Sequence, residues 1–292
     1  MPHFKYNTKI KLMNNLKKLA LVTAILMLPI FVASTFAQKK VSLSYKLEQG
    51  QSFDVLTEID QDIVFETNGQ TMALEQIITT KSVSVIDNTS GEELSIKTSL
   101  GAIKTIQSIF GMEIIYDSED ETTKNNPMAE QMSAAFEKLI GASYTTVIDN
   151  KGNVLKYDLG EFADSEEMTN NISSGNSYIV FPEDKIVVGD SWEADIKPLD
   201  DSDMKVSSKY TLVKASKKSA TINVVSTISA NNMDGEDMKM DGTITGVLIV
   251  NPKTGWTVSS TMDMELEMEM VKDDMKFPAS ISGEITMTST EK

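Results

Sequence analysis

The chain has no cysteine and no arginine, and its one histidine is His3. Each absence closes a class of chemistry. Without Cys there is neither a disulfide framework nor an N-terminal cysteine to carry a lipid. Beyond position 3, Ser-His-Asp and Cys-His nucleophile systems are excluded, as is zinc held by His or Cys. Without Arg, the two-pronged recognition of carboxylate or phosphate is unavailable. No glycine-rich phosphate loop or dinucleotide fingerprint occurs either. Carboxylates, Lys, Tyr, Ser and Thr remain for catalysis. A hydrolase working with paired carboxylates is therefore the enzymatic alternative. Its only tryptophan platforms for a sugar would be Trp192 and Trp256. The sequence favours a non-catalytic protein that needs no cofactor and no metal.

Positive charge is also scarce: 27 Lys stand against 43 Asp plus Glu, a formal charge of −16. Five of those lysines (5, 9, 11, 17 and 18) precede or open an apolar run, LALVTAILMLPIFVASTFA, from Leu19 to Ala37. Thr35 and Ala37 are small residues where a signal peptidase needs them, so residues 1–37 read as a signal peptide cleaved after Ala37. Met13 is an alternative start for a shorter signal. The rival reading is an uncleaved anchor, since the run approaches spanning length; Pro29 and the small-residue exit speak against it. The expected mature chain carries 22 Lys (27 − 5) against 43 acids, or −21 (22 − 43). Such a surface repels nucleic acid. No later run is long enough to span a membrane, so export to the periplasm or beyond the cell is expected, with no transmembrane segment after cleavage.

Strand-like segments dominate the remainder. VSLSYKLEQ (41–49), SFDVLTEIDQDIVFE (52–66) and TMALEQIITTKSVSVID (71–87) are rich in β-branched residues and bounded by turn formers. Asn68-Gly69 is a hairpin signal, and NTSGEE (88–93) turns the chain into LSIKTSLGAIKTIQSI and MEIIYD. Successive long strands joined by short turns predict antiparallel meanders. One stretch differs. NNPMAEQMSAAFEKLIG (125–141) sets Met128, Met132, Phe136 and Leu139 at helical spacing, with Pro127 and Gly141 suited to its ends. A helix is expected near 127–140, and a weaker one over 160–172. From Tyr178 the strand pattern resumes, and three pieces of the first half recur in order: GQSF with GDSW, then two hairpins. Residues 38–292 thus read as one β-rich domain, with two related lobes (about 38–175 and 176–292) as the finer possibility. The predicted fold is mainly β: antiparallel curved sheets, half-barrel-like, with one helix.

The segment TMDMELEMEM (261–270) alternates without a break. As a strand it presents Met262, Met264, Leu266, Met268 and Met270 on one face and four carboxylates on the other; helical winding would scatter both classes. Three readings follow. The face is ordinary core; or it lines a cavity for a lipid or other hydrophobic molecule, since Met adapts to varied apolar shapes; or close thioether pairs bind Cu(I). Without His or Cys to strengthen it, the copper reading is the weakest. If a cavity exists, its predicted wall is Met262, Met264, Leu266, Met268 and Met270, faced by Met128, Met132 and Phe136. The acidic clusters at 117–121, 200–203 and 233–237 match no calcium loop and read as solvated charge.

Five pieces carry a family resemblance: YKLEQGQSF (45–53), NNPMAEQMSAAFEKLIG, VIDNKGNV (147–154), FPEDKIVVGDSW (181–192) and VNPKTGWTVSS (250–260). Together they resemble a family of exported Bacteroidota proteins that carry a domain of unknown function. That resemblance implies no activity and no site residues. Its many-stranded sheets around a helix are similar to the half-barrels of lipoprotein-localisation carriers of the LolA/LppX kind. The expectation is a protein that binds a hydrophobic molecule or acts as an envelope interaction protein, partnered by lipid or by an envelope protein.

Overall fold

The computed structural model of the chain describes residues 40–67, 69–124, 129, 133–134, 136–160, 178–196, 204–233, 236–272 and 275–292. The expected signal peptide, residues 161–172 of the weaker helix expected over 160–172, Met128 and Met132 lie outside the described residues.

The described strands form one antiparallel sheet. They are β1 (Ser52–Thr67), β2 (Gln70–Ser90), β3 (Glu93–Ile109), β4 (Met112–Asp117), β5 (Ser143–Asp149) and β6 (Val154–Asp158), then β7 (Ser191–Ile196), β8 (Lys205–Ala215), β9 (Ala220–Met233), β10 (Glu236–Val250), β11 (Thr257–Lys272) and β12 (Met275–Glu291). The spatial order is β6-β5-β3-β2-β1-β12-β11-β10-β9-β8-β7, with β4 paired to the far half of β3. Each half of the chain runs as its own meander. The two meanders meet at the centre, where β1 pairs with β12 from Phe53↔Glu291 to Phe65↔Ala279. A short helix α1 (Glu121–Lys124) follows β4. Further on, the N–H groups of Ser133, Glu137 and Ile140 donate to the carbonyls of Ala129, Ser133 and Phe136, the four-residue spacing of a helix.

Hairpin turns follow the local chemistry. Gly69 and Gly91 take positive φ between β1, β2 and β3. The β3–β4 turn is less ordinary. Phe110 and Gly111 both have positive φ (53° and 75°), as a type I′ turn requires, although a bulky residue rarely adopts that conformation.

The sheet curls. β3 and β9 stand six spacings apart along it, roughly 29 Å were it flat at ~4.8 Å per strand. Yet Ile96 of β3 and Ile222 of β9 belong to one buried cluster. The space between the flanks is filled by two segments. Residues 41–49, expected as a strand, make only one isolated bridge, Val41↔Ile186. Residues 178–190, also expected to be extended pairing strand, are irregular before β7. The reason is where their backbone groups go. Tyr45 N–H donates to the Asn150 carbonyl, Lys46 N–H to Thr254 and Phe181 N–H to Lys151, which are turn carbonyls rather than a neighbouring strand. The alternating residues Leu43, Tyr45 and Leu47 are buried, and with Ile179, Phe181 and Ile186 they fill the end of the curled sheet.

Both tryptophans serve this plug. Trp256 stacks on Phe53 with ring centroids 4.2 Å apart and 15° between planes. Trp192 stacks on Tyr210 and donates from Nε1 to the Val180 carbonyl at 2.7 Å. Gly152 lets the segments meet: at φ 95° it lies under Ile179 and Tyr45, and a Cβ there would stand 2.7 Å from a Tyr45 ring carbon.

Candidate functional site: an uncovered inner face

An ordinary sheet is most buried at its centre. This one is not. Among the described residues of β1, β11 and β12, only Phe53 and Thr257, both at the plugged end, are buried. Beyond that end the inward side chains are half-buried by their strand neighbours, and the outward ones are mostly exposed. The buried clusters lie around this region: the plug at one end, a second cluster of Ile103, Tyr116 and Ala129 on the β2–β4 flank, and a third of Met204, Ala230 and Met240 on the β8–β10 flank.

Register assembles the inward residues into cross-strand rows. One row runs Met262, Ile285, Ile59, Ile78 from β11 to β2. The next runs Ile244, Met264, Gly283, Gln61, Gln76, Gln107. A third runs Leu266, Ile281, Ile63, Leu74, Ile109, and the one nearest the hairpin end Met240, Met268, Ala279, Phe65, Met72. From Ile59 to Phe65 these rows span six residues, ~20 Å of strand. The outward positions of β11 carry Asp263, Glu265, Glu267 and Glu269, and those of β1 carry Glu58, Asp60 and Asp62. A shallow depression lined by Thr227, Asp241, Thr243, Glu265 and Glu267 belongs to that outer, acidic face.

Glycines on the inner face bring the strands close. A Cβ on Gly246 would stand 2.7 Å from Met262 Sδ, and one on Gly283 would stand 2.8 Å from the Gln61 Cα. Side chains of β11 thus lie over β10, where a side chain would otherwise project. Glycines within strands commonly mark such bends and close approaches.

Met262, Met264, Leu266 and Met268 are half-buried on the inner face, as strand alternation requires. Met262 packs against the plug, and Met268 against the Met204–Ala230–Met240 cluster. Met270, beside Met238, is 42% exposed. Phe136 packs on Tyr116, centroids 5.3 Å apart, with Ile103 and Ile78 on the β2–β4 flank. The glutamines of the second row were not singled out from sequence. Only the register shows that Gln61, Gln76 and Gln107, far apart in the chain, are side by side. Gln61 Nε2 donates to Gln76 Oε1 at 2.8 Å.

Near the floor, buried hydroxyls pair across strands: Ser84 with Thr98 at 3.0 Å and Ser208 with Ser226 at 2.7 Å. Burial pushes the hydroxyls of Tyr45, Tyr144, Tyr157, Tyr178 and Tyr210 up from their ordinary value, that of Tyr157 to about 12. Among the described residues no group of three or more His, Cys, Asp or Glu is placed to hold a metal ion. Nor is any described helix long and apolar enough to cross a membrane.

Residues 156–257 match the model of a family of unknown function, DUF6263. The match runs from β6 to the first residue of β11. No curated protein matches the sequence. Among solved structures, the chain is similar to lipovitellin, in a structure of its lipid–protein interactions, with TM-score 0.50 and 8% identity over 84% of this chain. The chain spans 25% of that lipovitellin chain, so the likeness is to part of its fold. DynF of the dynemicin biosynthesis pathway of Micromonospora chersina (10% identity, 87% of this chain, 86% of that one) and the translocator domain of the autotransporter NalP from Neisseria meningitidis (8%, 82% and 88%) both have TM-scores of 0.21.

Proposed function

We propose that this protein is an exported, non-catalytic binder of a hydrophobic molecule, held against the inner face of β1, β11 and β12. One observation carries the reading: the middle of the sheet presents apolar side chains that no described element buries. Contiguous apolar surface of this kind is a mark of a binding site. An extended chain lying along the ~20 Å from Ile59 to Phe65 has more room than the ~15 Å hydrocarbon depth of one membrane leaflet. Each methylene removed from water there contributes about 0.8 kcal/mol. The likeness of the fold to part of lipovitellin, whose structure concerns lipid–protein interactions, supports the reading without assigning a ligand. The apolar run from Leu19 to Ala37, with its small-residue exit, supports export.

The test is native mass spectrometry of the protein purified gently from its own cells. A bound mass in the lipid range, released on denaturation and lost in the Met264→Asp, Met268→Asp double variant, is the expected result. A bare chain, or a variant that keeps its adduct at full occupancy, overturns the reading.

An envelope interaction protein is the second reading, and it has its own observation. Val213, Val225, Val247 and Ile249 are exposed at outward positions of β8, β9 and β10. Crosslinking from Val225 in the native host would find a partner of this surface, or none.

A further inference from the structure

The inner face is apolar, and it is also uncharged. From Phe53 to Phe65 on β1, Met72 to Ile86 on β2 and Leu94 to Ile109 on β3, every inward position is apolar, hydroxyl, amide or glycine. The same holds from Ala220 to Ala230 on β9, Met240 to Val250 on β10, Ser260 to Met268 on β11 and Ala279 to Ser289 on β12. All the Asp, Glu and Lys of these stretches point outward. Into this surface the register sets three adjacent amides, Gln61, Gln76 and Gln107, between the apolar rows of Ile59 and Ile63. Gln61 donates to Gln76; the remaining Gln76 donors and the whole Gln107 amide make no hydrogen bond to other described residues. The three side chains are half-buried and so only partly accessible to water.

We propose that the ligand is a neutral lipid bearing ester or hydroxyl groups, of the acylglycerol class, and that Gln61, Gln76 and Gln107 hold its polar part. This rests on the hydrophobic-ligand reading above. The chemistry selects the class. A free fatty acid or an anionic phospholipid would bring its charge to a face with no cation among its described strand residues, in a chain whose field is strongly negative, and an unpaired anion taken from water is strongly disfavoured. A pure hydrocarbon would leave the amides without partners. A carboxamide both donates and accepts, so it satisfies an ester carbonyl and a glycerol hydroxyl alike. The amide row lies between the apolar rows, so acyl chains can run from it toward the Leu266–Ile281–Ile63 row and toward Ile59.

The experiment measures binding of dioleoylglycerol, oleate and pyrene to the lipid-free full chain at pH 8, where oleate is charged. The variants are Gln61→Leu/Gln76→Leu/Gln107→Leu and Gln107→Met alone. Dioleoylglycerol is expected to bind at least ~10-fold more tightly than oleate. The triple variant loses ~10-fold for dioleoylglycerol, the scale of one or two hydrogen bonds, and keeps its pyrene affinity. Gln107→Met, which breaks no bond within the described structure, loses ~3-fold and serves if the triple variant does not fold. Oleate bound as well as dioleoylglycerol, or dioleoylglycerol binding unchanged in the folded variants, overturns the assignment and leaves the hydrophobe-binding reading standing; the glutamines are then a register-fixing ladder. Failure of all three probes to bind wild-type protein overturns both.

Discussion

The Tyr45 hydroxyl accepts a hydrogen bond at 3.0 Å from the backbone N–H of Ile179, 134 residues later in the chain. Both groups are buried among the rings of Tyr178 and Phe181, and the bond joins the two irregular segments that plug the curled sheet. Tyr45→Phe keeps the ring and leaves the Ile179 N–H without its acceptor. We predict a loss of about 1–3 kcal/mol, the penalty for an unsatisfied buried donor, read as a lowered urea midpoint at unchanged slope. An unchanged midpoint would mean that the bond contributes nothing net.

The plug and the open face should respond differently to truncation. Leu212 is fully buried in the plugged end, whereas Leu266 is half-buried on the inner face. Leu212→Ala should destabilise by about 2–5 kcal/mol, as cavity-forming core substitutions do. Leu266→Ala in lipid-free protein should cost about 1 kcal/mol, since much of its surface is already in water. Equal costs in paired denaturation curves would make the centre of the sheet a true core.

Gly246 and Gly283 set how closely strands approach on that face. A valine at Gly283 would put its Cβ within van der Waals overlap of the β1 backbone at Asp60 and Gln61. Gly283→Val should therefore destabilise by about 1–3 kcal/mol, the range for overpacking. The outward Glu284→Gln, one residue on, should stay within about 0.5 kcal/mol. Thermal melts of the two variants side by side make the comparison.

Five tyrosines give a pH dependence with a definite sign. Tyr45, Tyr144, Tyr157, Tyr178 and Tyr210 are raised by burial, so above about pH 10 the unfolded chain releases phenolic protons that the folded chain retains. The unfolded state then binds fewer protons, and stability falls as pH rises. Each tyrosine contributes full stability below its unfolded value and loses it as pH climbs toward its folded value, about 12 for Tyr157. Urea midpoints should decline between about pH 10 and 12, and tyrosinate absorbance should rise together with the loss of β-sheet signal. Tyrosinate appearing well before unfolding would contradict the burial of these hydroxyls.

The strands were legible because their signals are local. MEIIYD, read from its apolar pattern and flanking turns, is β4 residue for residue, and the 52–66 stretch is β1 to within one position. Local pattern misassigned residues 41–49, because alternation reports burial of every second side chain and not the identity of the hydrogen-bonding partner. VSLSYKLEQ alternates as a strand does, while its backbone bonds end on turns at Asn150 and Thr254. The methionine face was visible in one strand. Its neighbours Ile59, Ile63 and Ile281 were not, since which strand lies beside which is a long-range fact. The β1·β12 pairing that places them together joins the first and last described strands in sequence at the centre of the sheet.

That same pairing dictates an order of assembly. β1 has β2 on one side as soon as its hairpin forms, but its other neighbour is residues 275–291, the last described strand. A chain emerging from its N-terminal end must therefore carry β1 with one ladder of backbone groups unpaired until β12 follows it. Two local meanders can form early; the join between them is a contact of the highest sequence separation in the sheet, and such joins are slow. During that interval the edge of β1, apolar on one face, is a template for a second chain. Refolding yield should accordingly depend on concentration.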